Sequence, residues 1–248
     1  MKRKVNLIPM AGIGKRFKNA GYDLPKPLID INGKPMFVRA VESLPKADKI
    51  IFVCLKNHIK KFRIDKIIKS YFPKSIVITS KKKILGQAVD CLEASRYLKK
   101  SDNLTIGACD NGMVYDFKSL KNKIKNSDLV VWTFKDKKIV SKNPKMYGYV
   151  KTDKKDNIVK ISCKKKISKI AWKDHVIIGA FSFKRAEVFL KYTKKLLLTK
   201  LKINNEFYID TVAEMCVNSG IKVKANLVKK YYGWGTPKDL KNYLKKNV

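Results

Sequence analysis

The segment Leu7–Met36, LIPMAGIGKRFKNAGYDLPKPLIDINGKPM, constrains this chain more than any other stretch. A short apolar run stops at Gly12 and Gly14, and Lys15 and Arg16 follow at once. Further on, Lys26 stands between Pro25 and Pro27. Glycines let backbone N–H groups approach an anion closely, and the cations then neutralise it. A lysine between prolines loses little freedom on binding, because the backbone is restrained on both sides. The arrangement suits a polyphosphate. It is not a dinucleotide fingerprint, since the place of the third glycine holds Phe17, and no P-loop string G-x-x-x-x-G-K-[ST] occurs.

Around this segment the first half alternates strand-like and helix-like stretches. Val5–Pro9, Ile50–Leu55, Ser75–Thr79 and Asn103–Cys109 read as strands, and Met36–Leu44, His58–Tyr71 and Leu85–Leu98 as helices. That order predicts an α/β fold: a single doubly wound, mainly parallel, Rossmann-like mixed sheet flanked by helices. Ligands gather beyond the carboxyl ends of such strands, where both the Gly12–Arg16 loop and Asp110 fall. In the second half Leu129–Phe134, Tyr147–Thr152, Ile158–Ser162, Val176–Phe183 and Ile221–Leu227 read as strands, with a hairpin turn at Asp153–Asn157. Arg185–Tyr192, Glu206–Val217 and Pro237–Leu244 read as helices, the last capped by Thr236. With no Pro/Ser-rich linker and no internal repeat, residues 1–248 are expected to form one domain. The strand–helix alternation of residues 1–125 gives way over 126–248 to strands with short polar connections.

Composition narrows the partners. The net charge of +37 invites nucleic acid, but only six of the 57 basic residues are arginine. The lysines spread along nearly every segment, and the longest basic runs, Lys81–Lys83 and Lys164–Lys166 among them, hold only three residues. Nucleic-acid sites draw on bidentate arginine, so a lysine-biased composition is the expected cause and nucleic acid is not an expected partner. The longest apolar runs are too short to cross a membrane, and no signal-peptide core develops before Pro9. The protein is expected to be cytoplasmic, with a homo-oligomer left open. Cys54, Cys91, Cys109, Cys163 and Cys216 include no C-x-x-C pair, so reduced buried thiols are expected rather than zinc.

Several side chains read two ways from their surroundings alone. Asp110, in Ala108-Cys109-Asp110-Asn111-Gly112, suits a hard cation such as Mg²⁺ or an Asx-turn ending the strand. Gly86-Gln87-Ala88 offers a helix start that a planar base can approach, or a plain helix start. Lys164–Lys166 meets a phosphate or is a solvated run. Gly179-Ala180-Phe181 lines a pocket or fills a buried strand. Glu206 and Asp210 stand four apart, which places them on one face of the predicted helix.

As it stands, Gly12-Ile13-Gly14-Lys15-Arg16-Phe17 followed by Pro25-Lys26-Pro27-Leu28 resembles the signature of the sugar-phosphate nucleotidyltransferases, which have Thr or Ser at the place of Lys15. The resemblance implies a glycosyltransferase-A-like fold and a cleft divided between donor and acceptor. Pro9, Met10, Ala11, Gly12, Gly14, Lys15, Arg16, Lys26, Gly86, Gln87 and Asp110 would bind the nucleotide, with Arg16, Lys26 and Asp110 catalytic. Asp110 would hold Mg²⁺, joined by Asp210, because Gly233 stands where many relatives carry a second ligand Asp. Asn111, Tyr147, Gly148, Lys164, Gly179, Glu206 and Trp234 would face the acceptor, and Cys163 replaces a Glu of the relatives' Glu-Lys pair. The implied reaction joins an NTP to a phosphorylated small molecule, most readily a sugar 1-phosphate, releasing pyrophosphate, in the service of surface polysaccharide synthesis. The rival expectations are a glycosyltransferase using a nucleotide sugar, which would usually show a D-x-D motif, and a catalytically silent nucleotide-binding module.

Overall fold

The computed structural model describes residues 2–80 and 86–246; the run Lys81–Lys83 and the helix-opening Leu85 lie outside them. The first half builds β1 (Lys4–Met10), α1 (Lys15–Asn19), β2 (Asp30–Ile31), β3 (Lys34–Pro35), α2 (Met36–Glu42), β4 (Lys49–Leu55), α3 (Lys56–Phe62), α4 (Ile64–Tyr71), β5 (Ile76–Ser80), α5 (Gln87–Leu92), β6 (Asn103–Ile106), β7 (Asn111–Val114) and α6 (Phe117–Lys125). The second half adds β8 (Leu129–Phe134), α7 (Lys137–Val140), β9 (Tyr149–Thr152), β10 (Ile158–Ser162), β11 (His175–Phe183), α8 (Ala186–Thr199), α9 (Ile209–Asn218), β12 (Val223–Leu227), β13 (Lys230–Gly233) and α10 (Pro237–Leu244).

A nine-stranded mixed sheet joins the two halves in the order β10-β9-β11-β6-β1-β4-β5, with β8 beside β11 and β12 beside β8. The arm β6-β1-β4-β5 is parallel throughout, as is the pair β8–β12. Strand β11 runs antiparallel to β6, β8 and β9 and ties the arms together. The apolar runs explain this. Val5 and Leu7 of β1 belong to one core, Ile8 and Met10 to another; Ile51 and Val53 of β4 part from Phe52 and Cys54 in the same way. A strand buried on both faces has no polar alternation, and helices must cover both sides. A third, smaller core gathers Phe17, Ile29, Ile31, Met36, Ala40, Trp234 and Leu240 beneath the glycine loop.

Several boundaries differ from the sequence expectation. The helix expected over His58–Tyr71 breaks into α3 and α4 at Arg63, whose φ is 51°. The strand expected to reach Cys109 ends at Ile106, and at Gly107 a Cβ would lie 2.6 Å from Leu44 Cδ1. The helix expected from Glu206 begins only at Ile209, because Asn204 and Asn205 take positive φ and Ile203 bridges to Glu206 in a tight turn. Glu206 therefore does not share a helix face with Asp210. The β2–β3 hairpin, α1, α6 and the ribbon β7–β13 were not anticipated.

Candidate active site

Strand β1 delivers Pro9, Met10 and the buried Ala11 to the edge of the sheet, where the chain opens into Gly12–Gly14. A side chain at Gly12 would meet open space, so that glycine leaves room instead of relieving a clash. Gly14 does more. Its φ of +68° lies where L side chains are strained, it caps α1, and a Cβ there would lie 3.3 Å from Lys26 Cβ. Buried Phe17 anchors α1 into the third core, which leaves Lys15 and Arg16 exposed on the loop side.

Lys26 opens a 3-10 turn, Lys26–Leu28, whose Pro27 and Leu28 are buried. Its Nζ donates to Asp110 Oδ2 at 2.7 Å. Burial alone would push the Lys26 ammonium down, but the facing carboxylate outweighs that and holds it above the usual lysine range. Burial likewise works against the Asp110 carboxylate, while Lys26, with Arg16 behind it, holds it below the usual range. Both groups are charged across the pH range in which proteins are stable.

The ribbon β7–β13 fixes Asp110. Trp234 donates its backbone N–H to Asp110 O at 2.9 Å, and a Cβ at Gly235 would lie 3.1 Å from Asp110 Oδ2. The Trp234 ring lies so close to Gly112 that a Cβ there would come within 2.8 Å of Cη2. Neither Gly112 nor Gly235 was singled out in the sequence, because a glycine's role there depends on what the distant chain brings against it.

The acceptor side assembles from the second half. Lys164 takes a positive φ of 58°, donates its Nζ to Met146 O, and lies 5.2 Å from the Tyr208 ring centroid. Arg16 reaches the same residue, with Nη1 3.5 Å from Met146 Sδ, so Met146 links the glycine loop to Lys164. Asp210 is buried against Gly148, where a Cβ would lie 2.1 Å from its Oδ2. Burial pushes the Asp210 carboxyl up, and the Lys164 ammonium opposes it. Gly86, with φ +100°, packs on the Glu206–Phe207 turn, where its Cβ would lie 2.5 Å from Phe207 N and O; the half-buried Gln87 follows. Tyr147 packs edge-on to Phe134, which stacks on Tyr231 at 4.2 Å between centroids.

Two residues expected at the acceptor are buried. Trp234 is 2% exposed and belongs to the third core, where it packs on Tyr243. Asn111 is buried in β7; its Nδ2 donates to Ile178 O of β11 at 2.7 Å, while its Oδ1 has no hydrogen-bond partner among the described residues. Gly179 takes φ +80° where the β11 register shifts between Ile177 and Phe181, beside Ala108, so its immediate task is a bulge. Among the described residues no three His, Cys, Asp or Glu side chains converge as a metal site.

Fold and site together describe an α/β protein in which a cationic glycine loop follows β1 and Lys26 pairs with the Asp110 carboxylate. The description of the nucleotidyl transferase family matches residues 5–246, and the chain belongs to that family. No curated protein matches the sequence. Among solved structures, the chain is similar to a nucleoside-diphosphate-sugar pyrophosphorylase from Vibrio cholerae RC9 (18% identity, TM-score 0.79, covering 97% of this chain and 99% of that one). It is similar too to the inositol-1-phosphate CTP transferase of T. maritima (17%, TM-score 0.74, 100% and 98%). A UDP-glucose pyrophosphorylase solved with UDP-glucose gives 19% identity and a TM-score of 0.76, covering 99% and 100%.

Proposed function

We propose that the protein joins a nucleoside triphosphate to a phosphorylated small molecule, with a sugar 1-phosphate the leading acceptor, giving an activated nucleotide derivative and pyrophosphate. The observation that carries this reading is the Lys26–Asp110 ion pair beside the Gly12–Arg16 loop. An acceptor phosphate oxygen attacks the α-phosphorus, the bond to the bridging oxygen of the β-phosphate breaks, and its electron pair leaves with pyrophosphate. The nucleophile is already anionic, so no general base is required. What the residues supply is charge neutralisation and alignment. Lys15 and Arg16 hold the outer phosphates, Lys26 stabilises charge growing at the α-phosphate, and Lys164 meets the acceptor phosphate.

Asp110 suits Mg²⁺: it is a hard oxygen donor held ionised, and Lys26 engages it through Oδ2. Mg²⁺ bound there would add Lewis-acid stabilisation at the α-phosphate. The neighbours described as acting on a sugar or inositol phosphate support the acceptor class. NTP supply places the reaction in the cytoplasm, and a product of this type would feed surface polysaccharide synthesis.

The test is pyrophosphate release with Mg²⁺ from each common NTP against a panel of sugar 1-phosphates and phosphorylated alcohols. Lys26→Ala is expected to lower the rate about a hundredfold, roughly 3 kcal/mol of transition-state stabilisation, with melting close to wild type. Near-normal turnover in that variant would sink the assignment.

A further inference from the structure

The carboxylate that suits a metal ion already has a cation of the protein's own. Lys26 Nζ holds Asp110 Oδ2 at 2.7 Å, and the lysine is not free to swing at its backbone. Leu28 donates its N–H to Pro25 O at 2.8 Å, closing the turn that carries it between two prolines. Arg16 adds a second positive charge to the same centre. The other titratable groups facing it are the buried Cys109 thiol, which burial keeps protonated, and phenols. Tyr231 feels both Tyr147 and Asp110, and burial keeps its hydroxyl protonated. A Cβ at Gly233, across the ribbon from Asn111, would lie 3.1 Å from Tyr231 Cε1 and Oη, so an aromatic ring covers the place beside Asp110. Asp239 also acts on the two tyrosines, but its Oδ2 accepts the Thr236 hydroxyl at 2.6 Å, in the cap of α10. One carboxylate thus stands against two cations.

A divalent cation entering such a centre meets net repulsion, and it competes with Lys26 for Oδ2. A triphosphate reverses that balance, because its oxygens attract Lys26 and Arg16 and bring negative charge to the same point. We propose that the Lys26–Asp110 pair is an interlock: Asp110 accepts a divalent cation only when a nucleoside triphosphate takes over Lys26. The inference rests on the reading above, of metal-assisted nucleotidyl transfer. Linkage makes the coupling reciprocal, so the cation must tighten triphosphate binding by the same factor.

The test uses Mn²⁺ and the full chain without acceptor, read by water-proton relaxation enhancement, which separates protein-bound Mn²⁺ from its complex with free nucleotide. Wild type is expected to bind Mn²⁺ at least about tenfold more tightly with its preferred NTP than alone, a coupling of the usual allosteric size. Lys26→Met is expected to bind Mn²⁺ alone at least about tenfold more tightly than wild type does, by removal of the competing charge. Asp110→Asn should abolish binding in both settings. Equal Mn²⁺ affinity of wild type with and without NTP overturns the interlock, needs no variant, and leaves the transferase reading standing. No protein-bound Mn²⁺ with any NTP overturns the metal-assisted reading itself.

Discussion

At the scale of the residue, glycines carry much of the site's shape. Gly148→Ala would place a methyl group 2.1 Å from Asp210 Oδ2 and 3.0 Å from Ile177 Cδ1. Asp210 must then move, so the variant is expected to melt several degrees lower and lose at least about tenfold in turnover, readable by calorimetry and pyrophosphate release. A second residue-scale prediction concerns His175, whose Nδ1 lies 3.0 Å from Thr133 Oγ1. Burial pushes its imidazole down to about 4, with Lys135 and Lys123 adding repulsion against the weaker pull of Asp156 and Asp174. The unfolded histidine takes its proton near 6.5, so between that pH and about 4 the unfolded state binds more protons and stability rises with pH. Asp90 works in the opposite sense: burial raises it to about 6, so its contribution is lost as pH rises through that value. Across pH 4–6.5 the stability of His175→Gln should gain less, or lose more, with rising pH than that of wild type in denaturation experiments. The chemically distinctive residues Arg16, Lys26 and Asp110 could be picked out from sequence because their types state what they can do. Gly112, Gly235 and Tyr231 could not, since their part is set by the atoms placed against them.

At the scale of the element, the ribbon β7–β13 joins a short strand after Asp110 to one near the end of the chain. Trp234 seals it, 2% exposed over Gly112 and against Tyr243. Trp234→Ala is expected to cost about 3–5 kcal/mol in urea denaturation, the usual range for a buried aromatic. It should also weaken Mn²⁺–NTP binding, because the loosened ribbon no longer sets Asp110. Both ribbon strands were missed in the sequence. A four-residue strand supported only by a distant partner has too short an apolar pattern to announce itself. The Asn32-Gly33 hairpin also went unread, although both residues have positive φ and an Asn-Gly pair is a turn signal that needs no distant partner. Helix α10 was fully legible, because Thr236 accepts from Asp239 N and proline follows the cap.

At the scale of the whole molecule, the net charge of +37 favours the anionic substrates proposed for the site. The field raises local concentrations of triphosphate and falls with ionic strength, since the screening length drops from about 10 Å at 0.1 M to about 3 Å at 1 M. KM for the NTP is therefore expected to rise several-fold between low and high salt, while kcat changes less. Steady-state pyrophosphate release at fixed free Mg²⁺ checks it, and a salt-independent KM would contradict the steering argument.

The sequence by itself determined the local matters: which runs are buried on both faces, where β1 must stop, and which loop carries the cations. Those follow from side-chain period and from the conformational limits of glycine and proline, which need no distant partner. It also pointed to a chemistry, in that a glycine loop with Lys15, Arg16 and Lys26 suits a phosphate group. Only the tertiary structure decided that Lys26 meets Asp110, that Glu206 lies in a turn ahead of the helix of Asp210, and that Trp234 is buried. Each depends on segments far apart in sequence being brought into contact, and no local pattern records which atoms will fill the space beside a glycine.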